Sequence, residues 1–172
     1  MADEPDGAPT TLADTEVVGE SWDRADLSGR VFRRVRFLDV DLTEATARGA
    51  TFEECTFRDT DLNAARFTDT AFLQCTFTRA SLFGSRFERC KLTGSTFDRC
   101  RFGALTVDGG DWAFVGLGGA DLRRAELRRV RLREADLTGA RLEGAVLHRV
   151  DLSGAVLHQT DLTRADLRGS DL

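Results

Sequence analysis

A large apolar side chain returns at every fifth position of this chain. The series opens Leu12, Val17, Trp22, Leu27, Phe32, Phe37, Leu42 and runs without insertion to Phe102, Val107, Trp112 and Leu117. From Leu122 every member is leucine, ending at Leu172, and only Ala47 is not large. All of the 12 phenylalanines except Phe83 and Phe114 lie on this column. A register held so long marks an internal repeat.

Neither regular element buries such a column. On a helix five residues advance about 500°, so successive members scatter around the axis. On a strand an odd step reverses the face each time. The backbone must therefore turn once per repeat in a constant sense, which builds stacked coils, a solenoid. Two residues before each large residue stands a small one: Ala45, Ala50, Cys55, Thr60, Ala65 and Thr70 early, Ala135, Ala140, Ala145 and Val150 late. Large and small side chains together suit a crowded interior, and the Asp, Thr, Ser and Arg around them suit water. Glycine recurs two after the large residue, as at Gly29, Gly84, Gly139 and Gly169, and fits a turn that needs positive φ. Proline is confined to Pro5 and Pro9, so every repeat can donate its N–H, and residues 1–11 read as a disordered, acidic tail ahead of a repeat domain over 12–172. The stretch 103–119, rich in glycine and carrying Leu105 and Val115 in the small column, is where a kink or a change of turn is expected.

Composition narrows the function. The 172 residues carry a net charge of −5, which disfavours direct nucleic-acid binding and suits an acidic surface meeting a basic partner. The charge is uneven: residues 1–62 hold the acidic surplus. No long apolar run or signal segment is evident, so a cytoplasmic protein is expected, with no membrane contact. Cys55, Cys75, Cys90 and Cys100 all fall in the small column without a CxxC pair, so no metal site is expected. Cys55 and Cys75 lie one coil apart, within disulfide reach, although a reducing cytosol would leave them as thiols. His148 and His158 both follow a leucine of the column, are expected to be exposed, and face opposite sides, so they build no common site. A rod filled by its own side chains offers no concave pocket, and neither an enzyme nor a cofactor site is expected.

The units Ala120-Asp121-Leu122, Ala135-Asp136-Leu137 and Ala165-Asp166-Leu167 resemble the pentapeptide repeat family over about nine tenths of the chain. The resemblance implies an all-β, right-handed quadrilateral β-helix of about eight coils, each repeat forming one side of a square. Over Cys100 to Ala140 the chain looks most like the MfpA/Qnr topoisomerase-interacting members. That likeness implies a DNA mimic that binds DNA gyrase, a type II topoisomerase, and modulates it, giving resistance to fluoroquinolones or other gyrase poisons. Carried over as partner-binding candidates are Asp136, Glu143, Asp151, Asp161, Asp166 and Asp171. Such proteins pair end to end through a C-terminal helix. Here the series stops at Leu172, so a homodimer is expected through the last leucine layer, Leu157, Leu162, Leu167 and Leu172, or through a helix missing from this version. Asp121, Arg141 and Asp161 should stack as a charge ladder, and Asp41 on Asp61 without a cation between them. The alternative is a structural scaffold that meets another protein through exposed Leu38, Leu73, Phe83 and Phe114.

Overall fold

The computed structural model describes residues 11–172. Residues 20 apart pair in parallel on every face, so four five-residue repeats close one coil of an all-strand solenoid with four faces. On the first face the pairing runs Thr11, Val31, Thr51, Ala71, Lys91, Asp111, Arg131, Asp151, Asp171, eight steps of 20 residues. Ladders headed by Glu16, Ser21 and Asp26 occupy the second, third and fourth faces. The expected tail lies outside the described residues apart from Thr11, which pairs with Val31.

Repeats come in two forms. One is a three-residue strand, as in Val31–Arg33, Thr51–Glu53 and Thr76–Thr78, where a Thr or Val before the large residue is consistent with the preference of β-branched side chains for extended backbone. Aspartate gives a turn: the Ala45 N–H donates to the Leu42 carbonyl at 3.0 Å, while the Thr43 N–H donates to Asp41 Oδ1 at 2.9 Å. The side chain thus closes its own turn two residues on.

The core is the predicted column. Phe32, Phe52 and Phe72 stack with ring centroids 4.7 and 4.6 Å apart, and Phe37, Phe57, Phe77 and Phe97 at 4.9, 4.7 and 4.6 Å. One coil therefore advances by the spacing of hydrogen-bonded strands, roughly 4.8 Å. Edge contacts join the two stacks, with Phe37 and Phe52 6.3 Å apart at 62°. The small column fills the corners and has a polar duty as well. In the extended form no turn bond reaches the carbonyl of the large residue, so thiols and hydroxyls 23 positions later donate to it. Cys55 reaches Phe32 at 3.4 Å, Cys75 reaches Phe52 at 3.3 Å and Ser95 reaches Phe72 at 2.9 Å. All four cysteines are free thiols, and burial pushes Cys90 and Cys100 up to about 11.

The residue two after the large one has positive φ at every described repeat from Asp14 to Gly169 except at Arg124. Many of these positions hold Asp, Glu, Arg or Ala in place of glycine. Left-handed backbone costs an L-residue roughly 1 kcal/mol. Ala64, exposed with φ 55°, is such a site. Ala64→Gly should raise the unfolding free energy by about 0.5–1 kcal/mol in urea denaturation.

At 103–119 the register does not slip: Arg86–Lys91 pairs with Thr106–Asp111, and Thr96, Gly116 and Asp136 stay in line. The break in the ladder falls on the third face, where bridges end at Ser81 with Arg101 and resume at Asp121 with Arg141. Just beside it the Phe83 ring covers Gly103, where a Cβ would come 2.7 Å from Phe83 Cδ2.

Candidate partner-binding surface

The aspartates before the large residue owe their orientation to the turns. Asp136 Oδ1 accepts the Thr138 N–H at 2.9 Å, Asp151 the Ser153 N–H at 3.0 Å, and Asp161 the Thr163 N–H at 2.9 Å. The Thr138 hydroxyl and N–H hold Asp136 below the ordinary carboxylate range, and Ser153 and Thr163 do the same for Asp151 and Asp161.

The six carboxylates predicted to meet a partner are spread over all four faces. Asp136 lies on the second, Glu143 and Asp161 on the third, Asp151 and Asp171 on the first, and Asp166 on the fourth. Only Asp151 and Asp171 stand directly one above the other, as bridge partners. Several already have cations. Arg133 Nε is 2.7 Å from Asp151, Arg164 Nη1 is 3.9 Å from Glu143, and Arg168 Nη2 is 2.7 Å from Asp166. Among the described residues Asp136, Asp161 and Asp171 have no cation within 4.0 Å. The expected ladder Asp121, Arg141, Asp161 forms in its backbone, but Arg141 reaches only Asp121, at 3.6 Å. Arg123, at 2.7 Å, is the closer partner and, through its hydrogen bonds, holds Asp121 down to about 2.

His148 departs from the exposed position expected of it. It is half-buried in a stack on the fourth face, with Nδ1 2.7 Å from Arg128 Nη1 and Nε2 2.7 Å from Asp166 Oδ2. An arginine can only donate, so Nδ1 accepts from Arg128, while Nε2 sits between Asp166 and Arg168 Nη2, the latter 3.2 Å away. Arg168, then His148, hold Asp166 well below its ordinary range. The signal was available: Arg128, His148 and Arg168 are 20 apart. His158 is exposed on the opposite face, as expected.

The apolar residues named for a scaffold contact do not form one patch. Phe83 and Phe114 are exposed at 58% and 61%, but they stand on the third and first faces, and Leu38 and Leu73 are half-buried. At the C-terminal end Leu157, Leu162 and Leu167 are partly covered, whereas Leu172 is 73% exposed.

Acid should unfold the rod in a defined window. The carboxyls of Asp26, Asp136, Asp151, Asp161 and Asp121 titrate lower when folded than when unfolded. Their contribution is complete above the unfolded value of about 3.9 and is lost as pH falls through the folded values. The urea midpoint should therefore stay flat from neutral pH to about pH 5 and drop from about pH 4 toward about pH 2.

Among the described residues no helix is long and apolar enough to cross a membrane, and no cluster of His, Cys, Asp or Glu could hold a metal ion. The pentapeptide repeats family profile matches residues 23–59, 60–99, 117–144 and 140–172. Among solved structures, a trypsin-treated single-substitution variant of QnrB1, described as a plasmid-mediated fluoroquinolone resistance protein, is 19% identical with a TM-score of 0.53, over 91% of this chain and 90% of its own. HetL, a pentapeptide repeat protein involved in heterocyst differentiation regulation from the cyanobacterium Nostoc sp. Strain PCC 7120, is 24% identical with a TM-score of 0.43, over 93% and 88%. No curated protein matches the chain.

Proposed function

The chain belongs to the pentapeptide repeat family, and on that premise we propose that it binds DNA gyrase as a mimic of duplex DNA and thereby modulates the enzyme's response to fluoroquinolones or other gyrase poisons. The observation that carries the proposal is Asp41 stacked on Asp61, bridge partners on the third face, with no cation within 4.0 Å of either among the described residues. Like charges one coil apart cost stability, and a basic partner would relieve that cost. Likeness to QnrB1 supports the shape of the rod.

Bulk charge is not the device. A duplex of similar length, ~39 Å, would carry roughly 23 charges, against a net −5 here. Mimicry rests on the rod's shape and on local carboxylates: Asp41 and Asp61, with Asp136, Asp161 and Asp171 toward the other end. Glu143, Asp151 and Asp166 stay in the proposed surface as members that must exchange an intramolecular arginine for one from the partner. A homodimer formed through Leu157, Leu162, Leu167 and Leu172 would align two rods.

Titrating the purified protein into a gyrase supercoiling assay, with and without a quinolone, tests the proposal. A change in supercoiling or in drug-stabilised cleavage at micromolar protein is expected. Asp41→Asn with Asp61→Asn, which keeps the oxygen that closes the Asp41 turn, should weaken it. No effect at micromolar protein would refute the proposal.

A further inference from the structure

On the third face a regular rung is made in two directions. The Leu82 N–H donates upward to the Arg101 carbonyl at 2.7 Å, and the Arg101 N–H donates downward to the Ala80 carbonyl at 3.0 Å. The same pair recurs at Leu122 to Arg141 and Arg141 to Ala120, both 2.8 Å. Between Arg101 and Asp121 neither bond is made, although each of the other three faces keeps its bridge at this level. The N–H groups of Phe102, Ala104 and Asp121 have no acceptor among the described residues. This is also where Arg124 departs from the positive φ of every other described repeat.

The parted coils leave a groove of about 510 Å³ between Cys100–Gly103 and Asp121–Arg124. Three arginines line it. Arg123 is paired with Asp121 at 2.7 Å, while Arg101 and Arg124 have no carboxylate within 4.0 Å among the described residues. With Asp121 counted against them, the lips hold a surplus of two positive charges beside unpaired backbone donors. Guanidinium and amide N–H groups converging on one opening are the chemistry that holds phosphate oxygens.

We propose that this opening is a binding site for a small oxyanion carrying two or more charges, of the diphosphate class. Arg101 from one lip and Arg124 from the other clamp the ligand, and the Phe102 amide donates to its oxygens. The site is separate from the carboxylates proposed for gyrase, and its test does not involve gyrase.

Calorimetric titration of inorganic pyrophosphate into the full chain should show saturable binding, tighter than for inorganic phosphate and weakened by salt. Arg101→Gln and Arg124→Gln should each weaken it about tenfold, since each removes one charge-assisted contact. Arg58→Gln, an exposed arginine on the second face, should leave it unchanged. In NMR spectra the amide signals of Phe102, Ala104 and Asp121 should shift on binding. Lack of saturation at millimolar pyrophosphate overturns the proposal, as does an unchanged affinity in the double variant Arg101→Gln with Arg124→Gln.

Discussion

Replacing Phe57 by alanine should lower the free energy of unfolding by about 3–5 kcal/mol, read as a shift of the urea midpoint with little change in slope. Phe57 is fully buried, stacked between Phe37 at 4.9 Å and Phe77 at 4.7 Å, with Phe52 and Phe72 meeting it at 5.6 and 6.0 Å. The backbone around it is tied by a parallel rung to the coil on each side, to Phe37 and to Phe77. Coils so pinned cannot collapse into the space left, so a cavity remains and its lining loses dispersion contacts. Phe57→Leu should cost less, because the later half of the same rod is filled with leucine. A loss below about 1 kcal/mol for Phe57→Ala would show that the coils relax and that the aromatic stack does not govern stability.

Gly110→Ala should be comparably severe for a different reason. Gly110 pairs with Cys90 inside the longest paired segment, Arg86–Lys91 against Thr106–Asp111. Its φ is +100°, and a Cβ there would collide with the Cys90 carbonyl oxygen and lie 2.8 Å from the Cys90 nitrogen. Both obstacles are backbone, so no side-chain rotation relieves them. The coils must separate at this level, which breaks rungs on the fourth and first faces and leaves buried amides unpaired. A destabilisation of about 3 kcal/mol or more is expected. Gly139→Ala, whose Cβ would meet nothing within 4 Å, should cost only its backbone strain, about 1 kcal/mol. Equal losses for the two variants would show that close coil approach at Gly110 is not what requires glycine.

The core was legible because its signal is periodic and one-dimensional. Once period five excludes helix and strand, Phe32, Phe52 and Phe72 must face one interior, and they do. The four-faced closure came from the family resemblance, not from spacing. Glycine at 29, 84 and 139 revealed the left-handed corner, but its generality was hidden because Arg, Asp and Ala occupy the same backbone elsewhere. Asp121 and Asp136 stood out in the repeat unit, yet they read as surface charge. Their first duty is to close their own turns, a side chain-to-backbone bond that charge counting does not see. His148 was misplaced because each histidine was placed by its own repeat, whereas its environment comes from Arg128 and Arg168, one coil to either side. The kink expected at 103–119 proved to be one open rung. A lost rung leaves the spacing of the apolar column untouched, so the column could not locate it.

The central claim is that this rod takes the place of DNA on gyrase, and competition tests it most directly. Fluorescently labelled protein would be bound to gyrase at low salt and titrated with unlabelled duplex DNA, following anisotropy. DNA mimicry predicts micromolar or tighter binding, displacement by DNA, and weaker binding for Asp41→Asn with Asp61→Asn. Absence of binding, or binding that persists unchanged at saturating DNA, would contradict it.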